Sequence, residues 1–136
     1  MNDENIKDIV KIRYERSAEL LEEAKRLYKD GSYKSANNRA FYSAEKAIKA
    51  ALITRGKDSE KHAGLIKTFN MEFIHSPSEY FDREDLGRIQ SMERIRTASD
   101  YDDFYIASKT ECEDQIVKAE AIFDRVKAYL EAIDML

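Results

Sequence analysis

A chain of 136 residues is long enough for one domain with a single sizeable core and too short for two ordinary ones. At 43% hydrophobic and 37% charged residues it is neither apolar enough for a membrane protein nor depleted enough for a disordered one, and a net charge of −4 counts against nonspecific coating of nucleic acid. Four glycines and one proline are too few turn residues for a sheet-rich domain, so the composition points to long helices.

From about Asn5 to Lys29 apolar residues recur at helical spacing (Ile6, Ile9, Val10, Leu20, Leu21, Ala24, Leu27, Tyr28), with Arg13 and Ser17 interrupting the stripe. Asp30-Gly31 ends this helix. A second is expected from Ser32, a candidate N-cap, to about Arg55 before Gly56. Phe41, Ala44, Ile48, Ala51 and Leu52 form its stripe, and further alanines broaden it with small side chains that let a neighbour approach closely. A shorter third helix is predicted over Lys61–Phe73, followed by the loop-like HSPSEYFDRED. Asp82 then caps a fourth helix to about Ser99, carrying Leu86, Ile89, Met92 and Ile95. In the fifth, Cys112, Ile116, Ala119, Phe123, Val126, Leu130 and Ile133 alternate steps of four and three, the seam of an antiparallel bundle. The expectation is one all-α domain over residues 1–136, an up-and-down bundle.

No apolar stretch approaches the roughly 20 residues needed to cross a bilayer, and MNDENIKDIVKIRYER lacks an apolar signal region, so a cytoplasmic protein without membrane contact is expected. A lone cysteine excludes an internal disulfide, and Cys112 in the apolar seam reads as a small buried hydrophobe. His62 and His75 stand thirteen residues apart without ligand spacing, so neither a metal site nor a cofactor is expected.

Two stretches carry unusual polarity. In NNRAFYSAEKA, residues 37–47, centring the core face on Phe41 places Asn37 on nearly the same side and Arg39, Tyr42 and Lys46 on the other. Arg39 and Tyr42 are either ordinary surface groups or a helix-borne surface for phosphate or a partner chain. In RIRTASDYDDFY, residues 94–105, Arg96 follows Ile89 by seven and shares its face, which directs a guanidinium toward the apolar side. Asp100, four residues on, can pair with it as a structural device. Alternatively Arg96 waits for an RNA phosphate, with Tyr101 beside it to stack on a base or donate a hydrogen bond.

The order of NNRAFYSAEKAIKAALITRG, KHAGLIKTF and RIRTASDYDDFY resembles the small prokaryotic HEPN domains, in particular the subfamily with Arg-x-x-x-Asp-Tyr at the end of helix four. The resemblance spans about Arg13 to Ile133. It implies four long antiparallel helices plus a short one, often a homodimer, often encoded beside a minimal nucleotidyltransferase (MNT). Many such proteins are metal-independent ribonucleases, and several are toxins of toxin–antitoxin pairs. Their motif is an arginine followed four to six residues later by a histidine, which handles protons while the arginine stabilises phosphate charge.

Here Arg96 fits the arginine, but Tyr101 stands five residues on and no histidine follows, so the ordinary catalytic pair is incomplete. Tyrosine, with an ordinary pKa of about 10, is a poor base near neutral pH. In some related toxins the MNT partner adds nucleotides to a tyrosine near the motif, which by resemblance makes Tyr101 and Tyr105 modification candidates. The expected function is one component of an MNT–HEPN toxin–antitoxin or defence module binding RNA or nucleotide. Arg96 and Tyr101 are its candidate catalytic residues, and Arg39, Tyr42, His62 and Asp100 its candidate binding residues. The rivals are a noncatalytic dimerisation module and a ribonuclease with an atypical base.

Overall fold

Alanine governs the packing. In the computed structural model, which describes residues 3–58, 62–76 and 78–136 (the side chains of Asp3, His62 and Ala63 excepted), five helices follow one another: α1 Asp3–Lys29, α2 Tyr33–Ile53, α3 His62–Phe69, α4 Arg83–Tyr101 and α5 Lys109–Ala132. Helix α2 is the hub, packing against each of the others. Ala36, Ala40, Ala44, Ala47, Ala50 and Ala51 are fully buried along it, so neighbours reach its backbone from several sides.

The closest partnership is α1 with α2. Ser17 and Ser43, both fully buried, join the two helices reciprocally: the Ser17 hydroxyl donates to the Ser43 carbonyl at 2.7 Å, and the Ser43 hydroxyl to the Ser17 carbonyl at 2.8 Å. That is why a serine interrupts the apolar stripe of α1. Arg13, the other interruption, donates to the Lys49 carbonyl at 3.1 Å and pairs with Asp58 at 2.9 Å. Early α1 therefore lies beside late α2, and at the other end Tyr28 packs on Tyr33 and donates to Glu113 of α5. The helices run up and down, in an antiparallel bundle of four long helices and one short one.

One end of the bundle is aromatic. Helix α3 continues into a π-helical turn, Asn70–Ile74, a widening that the expected single helix did not include. Phe69 and Phe73 are fully buried there; Phe81 meets them at ring-centroid distances of 5.3 and 4.9 Å, and Tyr129 meets Phe73 at 5.1 Å. The Tyr129 hydroxyl is satisfied by Thr54 at 2.7 Å.

Helix ends follow local chemistry in part. Asp82 and Asp85 form a capping box at α4: the Asp85 N–H donates to the Asp82 carboxylate at 3.2 Å and the Asp82 N–H to that of Asp85 at 3.0 Å. Ser108 caps α5. Ser32 occupies the cap position of α2 but makes no side-chain cap bond. Along α5 the buried set is wider than the predicted seam, because α2, α1 and α4 all touch it. Gln115, Ile122 and Tyr129 join the core, whereas Phe123 is half-buried and Ile133 is 38% exposed just past the helix end.

Candidate functional site at the end of α4

The buried residues of α4 are Asp85, Ile89, Met92 and Arg96. Their steps of four, three and four carry the core-facing stripe into a guanidinium, and Arg96 is only 5% exposed. A charge in that position requires compensation, and the same helix provides it one turn away on either side. Arg96 lies 2.8 Å from Glu93 and 3.2 Å from Asp100. Its guanidinium carbon sits 5.4 Å from the centre of the Phe41 ring and 6.0 Å from that of Tyr101. Burial by itself would lower the pKa of Arg96, but the hydrogen bonds it donates to Glu93 and Asp100 outweigh that and hold it above the ordinary value. The arginine is permanently charged and neutralised in place; its Nε is buried without a hydrogen-bond partner.

Helix α2 closes the cluster from the other side. Asn37, fully buried, donates to the Ser99 hydroxyl at 3.4 Å, and Asn38 donates to Asp100 at 2.6 Å. The side-chain oxygens of both asparagines are buried and unpartnered. Tyr42, half-buried against Phe41, is close enough to Arg96 to act on it electrostatically.

Beyond this lock the chain turns outward. Tyr101 is the last residue of α4 and is 75% exposed. The Asp102 carboxylate accepts from the Phe104 N–H at 2.9 Å, and the Asp102 carbonyl from the Tyr105 N–H at 3.1 Å. This tight Asx turn presents Phe104 at 94% and Ile106 at 87% exposure. An open cleft of about 560 Å3 lies between the turn and the outer face of α4, lined among others by Glu93, Arg94, Thr97, Tyr101, Asp103 and Phe104. A second, of about 600 Å3, lies between the start of α2 and Asp103–Ala107. Tyr105 lines this second cleft, but its hydroxyl is enclosed and unpartnered.

The fold thus brings Arg96, Asp100, Tyr101 and Tyr42 together. Arg39 turns to α1, 3.6 Å from Glu23. His62 opens α3, and its side chain lies outside the described residues. Sequence spacing missed Glu93 and Asn38. Glu93 had a signal, a carboxylate three residues before a core-facing arginine; the only mark of Asn38 was a pair of asparagines inside an alanine-rich helix. Cys112 is fully buried, and burial pushes its thiol up to about 11, so it is not poised as a nucleophile. Among the described residues no three His, Cys, Asp or Glu side chains are grouped to hold a metal, and no helix is long and apolar enough to cross a membrane.

An all-helical bundle with a neutralised arginine at the end of α4 is the class that the geometry defines. The bundle is that of TT1696 from Thermus thermophilus, a solved structure that superposes with a TM-score of 0.73 over 88% of this chain and 96% of that one, at 18% identity. The HEPN domain family matches residues 10–129, and this chain belongs to it. Among its relatives, "Putative toxin MJ0605" of Methanocaldococcus jannaschii is 32% identical over 130 residues, spanning 95% of this chain and 94% of that protein. MJ0142 of the same organism, named in the same way, is 31% identical over 136 residues, spanning 94% and 91%. A Thermotoga maritima protein named UPF0332 is 30% identical over 117 residues, 85% of this chain and 86% of that one.

Proposed function

We propose that this HEPN protein is the toxin-like component of a two-component module, and that a minimal nucleotidyltransferase partner modifies it at Tyr101. The observation that carries this reading is the contrast between Arg96, sealed at 5% exposure, and Tyr101, 75% exposed immediately above it. The phenolic oxygen of Tyr101 would attack the α-phosphorus of a nucleoside triphosphate held by the partner. An O–P bond forms, the bond to the β-phosphate breaks, pyrophosphate leaves, and the phenol proton passes to a base on the partner. That base is required because the attacking phenol must give up its proton as the O–P bond forms. Tyr105, with its hydroxyl enclosed, is the poorer acceptor.

RNA or nucleotide binding enters as the activity under control. Two copies facing each other at the α4 ends would make one cleft with two arginines, and Arg96 would reach phosphate once Glu93 or Asp100 gives way. Tyr101, standing where the family's histidine is expected, lies at the rim of that cleft, so a nucleotide attached to it adds bulk and negative charge against RNA. The pairing of Arg96 at 2.8 and 3.2 Å also favours a second reading, a noncatalytic dimerisation module in which the same residues only lock the bundle.

The test is intact-mass spectrometry of the protein coexpressed with the nucleotidyltransferase encoded beside it, together with metal-free RNA cleavage by wild type, Arg96→Ala and Tyr101→Phe. A nucleotide-mass increment on wild type that is absent from Tyr101→Phe supports the module. An unmodified wild type, with no cleavage by any of the three proteins, leaves the dimerisation module.

A further inference from the structure

Among the described residues Phe104, Ile106 and Tyr101 are, in that order, the most exposed of the large hydrophobic side chains, at 94%, 87% and 75%, and they fall within six residues of one another. They are held there: the Asx turn fixes the backbone of Phe104 and Tyr105 through two hydrogen bonds to Asp102. Exposed rings at Tyr101 and Phe104, with the Phe104 backbone held by the turn and Ile106 exposed two residues on, have the character of a recognition surface.

Charge decides what it recognises. Glu93 and Asp100 already neutralise Arg96. Among the described residues neither Asp102 nor Asp103 forms an ion pair, and Arg94 is the sole basic residue lining the cleft. The cleft therefore keeps excess negative charge beside two aromatic rings. Free phosphate is repelled by this outer lining, so the triphosphate that reaches Tyr101 is one the partner holds, whereas an arginine or lysine finds carboxylates for its head and ring faces for its stem and cation.

We infer that the cleft between the outer face of α4 and the Tyr101–Phe104 turn docks a basic segment of a partner protein, one that alternates cationic and apolar side chains. The apolar residues of the segment cover Phe104 and Ile106, and a cation enters the cleft between Asp103 and the Tyr101 ring. The recognition chemistry stands on these residues; that the segment belongs to the modifying enzyme rests on the function proposed above. Docking there would bring that enzyme to the Tyr101 hydroxyl.

The experiment titrates the whole protein, 13C-labelled in its aromatic rings, with a short synthetic peptide alternating arginine and leucine, with its glutamate counterpart, and with a short single-stranded RNA. The expected result is that the basic peptide shifts the Tyr101 and Phe104 resonances while leaving Tyr129 unmoved. Its affinity falls roughly tenfold in Asp103→Lys and in Phe104→Ala, and falls as salt is raised. Both substitutions are at exposed positions, and an unchanged circular dichroism spectrum verifies the fold. No shift with the basic peptide, equal binding of the acidic one, indifference to both substitutions, or RNA shifting the Phe104 ring instead overturns the inference. Nucleotide addition is measured separately. Modification that proceeds at the wild-type rate in both variants overturns docking alone, and peptide docking without any modification overturns the proposed function alone.

Discussion

Arg96 and Asp100 stand one helical turn apart with 3.2 Å between guanidinium and carboxylate, and Asn38 of α2 holds the other carboxylate oxygen at 2.6 Å. A pair within α4 is thereby made part of the contact between two helices. Arg96→Ala should destabilise the fold by about 2 kcal/mol, less than the roughly 3–5 kcal/mol of a fully buried broken pair, because Glu93 and Asp100 keep 27% and 23% exposure and rehydrate in part. Urea unfolding with unchanged slope measures this, and wild-type stability in the variant contradicts the locking role of Arg96.

Tyr101→Phe separates function from fold. The residue is 75% exposed and its hydroxyl supports no hydrogen bond among the described residues, so stability should stay within about 0.5 kcal/mol of wild type while nucleotide addition disappears. Modification that persists and maps to Tyr105 moves the acceptor to the second cleft.

Cys112 makes stability depend on alkaline pH. Burial, with the Glu113 and Glu111 carboxylates adding to it, raises its thiol from 9.0 to about 11 in the folded chain. The folded state holds the proton more tightly than the unfolded state. The thiol's contribution is therefore intact below pH 9 and is lost as pH rises from 9 to about 11, in all about 2–3 kcal/mol. Unfolding midpoints measured across that window should fall more steeply for wild type than for Cys112→Ala. A thiol reagent should label the native protein at pH 8 only as fast as it unfolds.

Asp82→Ala removes half of the α4 capping box and should cost about 1–2 kcal/mol by thermal or urea unfolding, with Asp82→Asn recovering much of it, since an amide oxygen still accepts from the Asp85 N–H. Equal losses in the two variants would assign the effect to the Arg125 guanidinium 3.6 Å away.

Much of the bundle is legible in one dimension because helical periodicity is local. The seven-residue step from Ile89 to Arg96 places both on one face whatever packs against it, and Asp82 announces α4 by its own side chain. The seam of α5 is less complete on paper. Tyr129 and Gln115 are polar enough to read as surface, yet the Thr54 hydroxyl satisfies one, and the other donates to the Met92 carbonyl at 3.0 Å. Partners so distant in sequence leave no periodic mark.

The sequence by itself determined the helices, their apolar faces, the core-facing position of Arg96 and the availability of Asp100, because 3.6 residues per turn is a property of the backbone alone. Tertiary structure decided the remainder. It set Asn38 on Asp100 across 62 residues, sent Arg39 to α1, enclosed the hydroxyl of Tyr105 and left Tyr101 and Phe104 in solvent. Two tyrosines four residues apart have similar intrinsic chemistry; which one meets solvent depends on where α4 stops, at Tyr101, and how the Asx turn at Asp102 leaves it beside the start of α2.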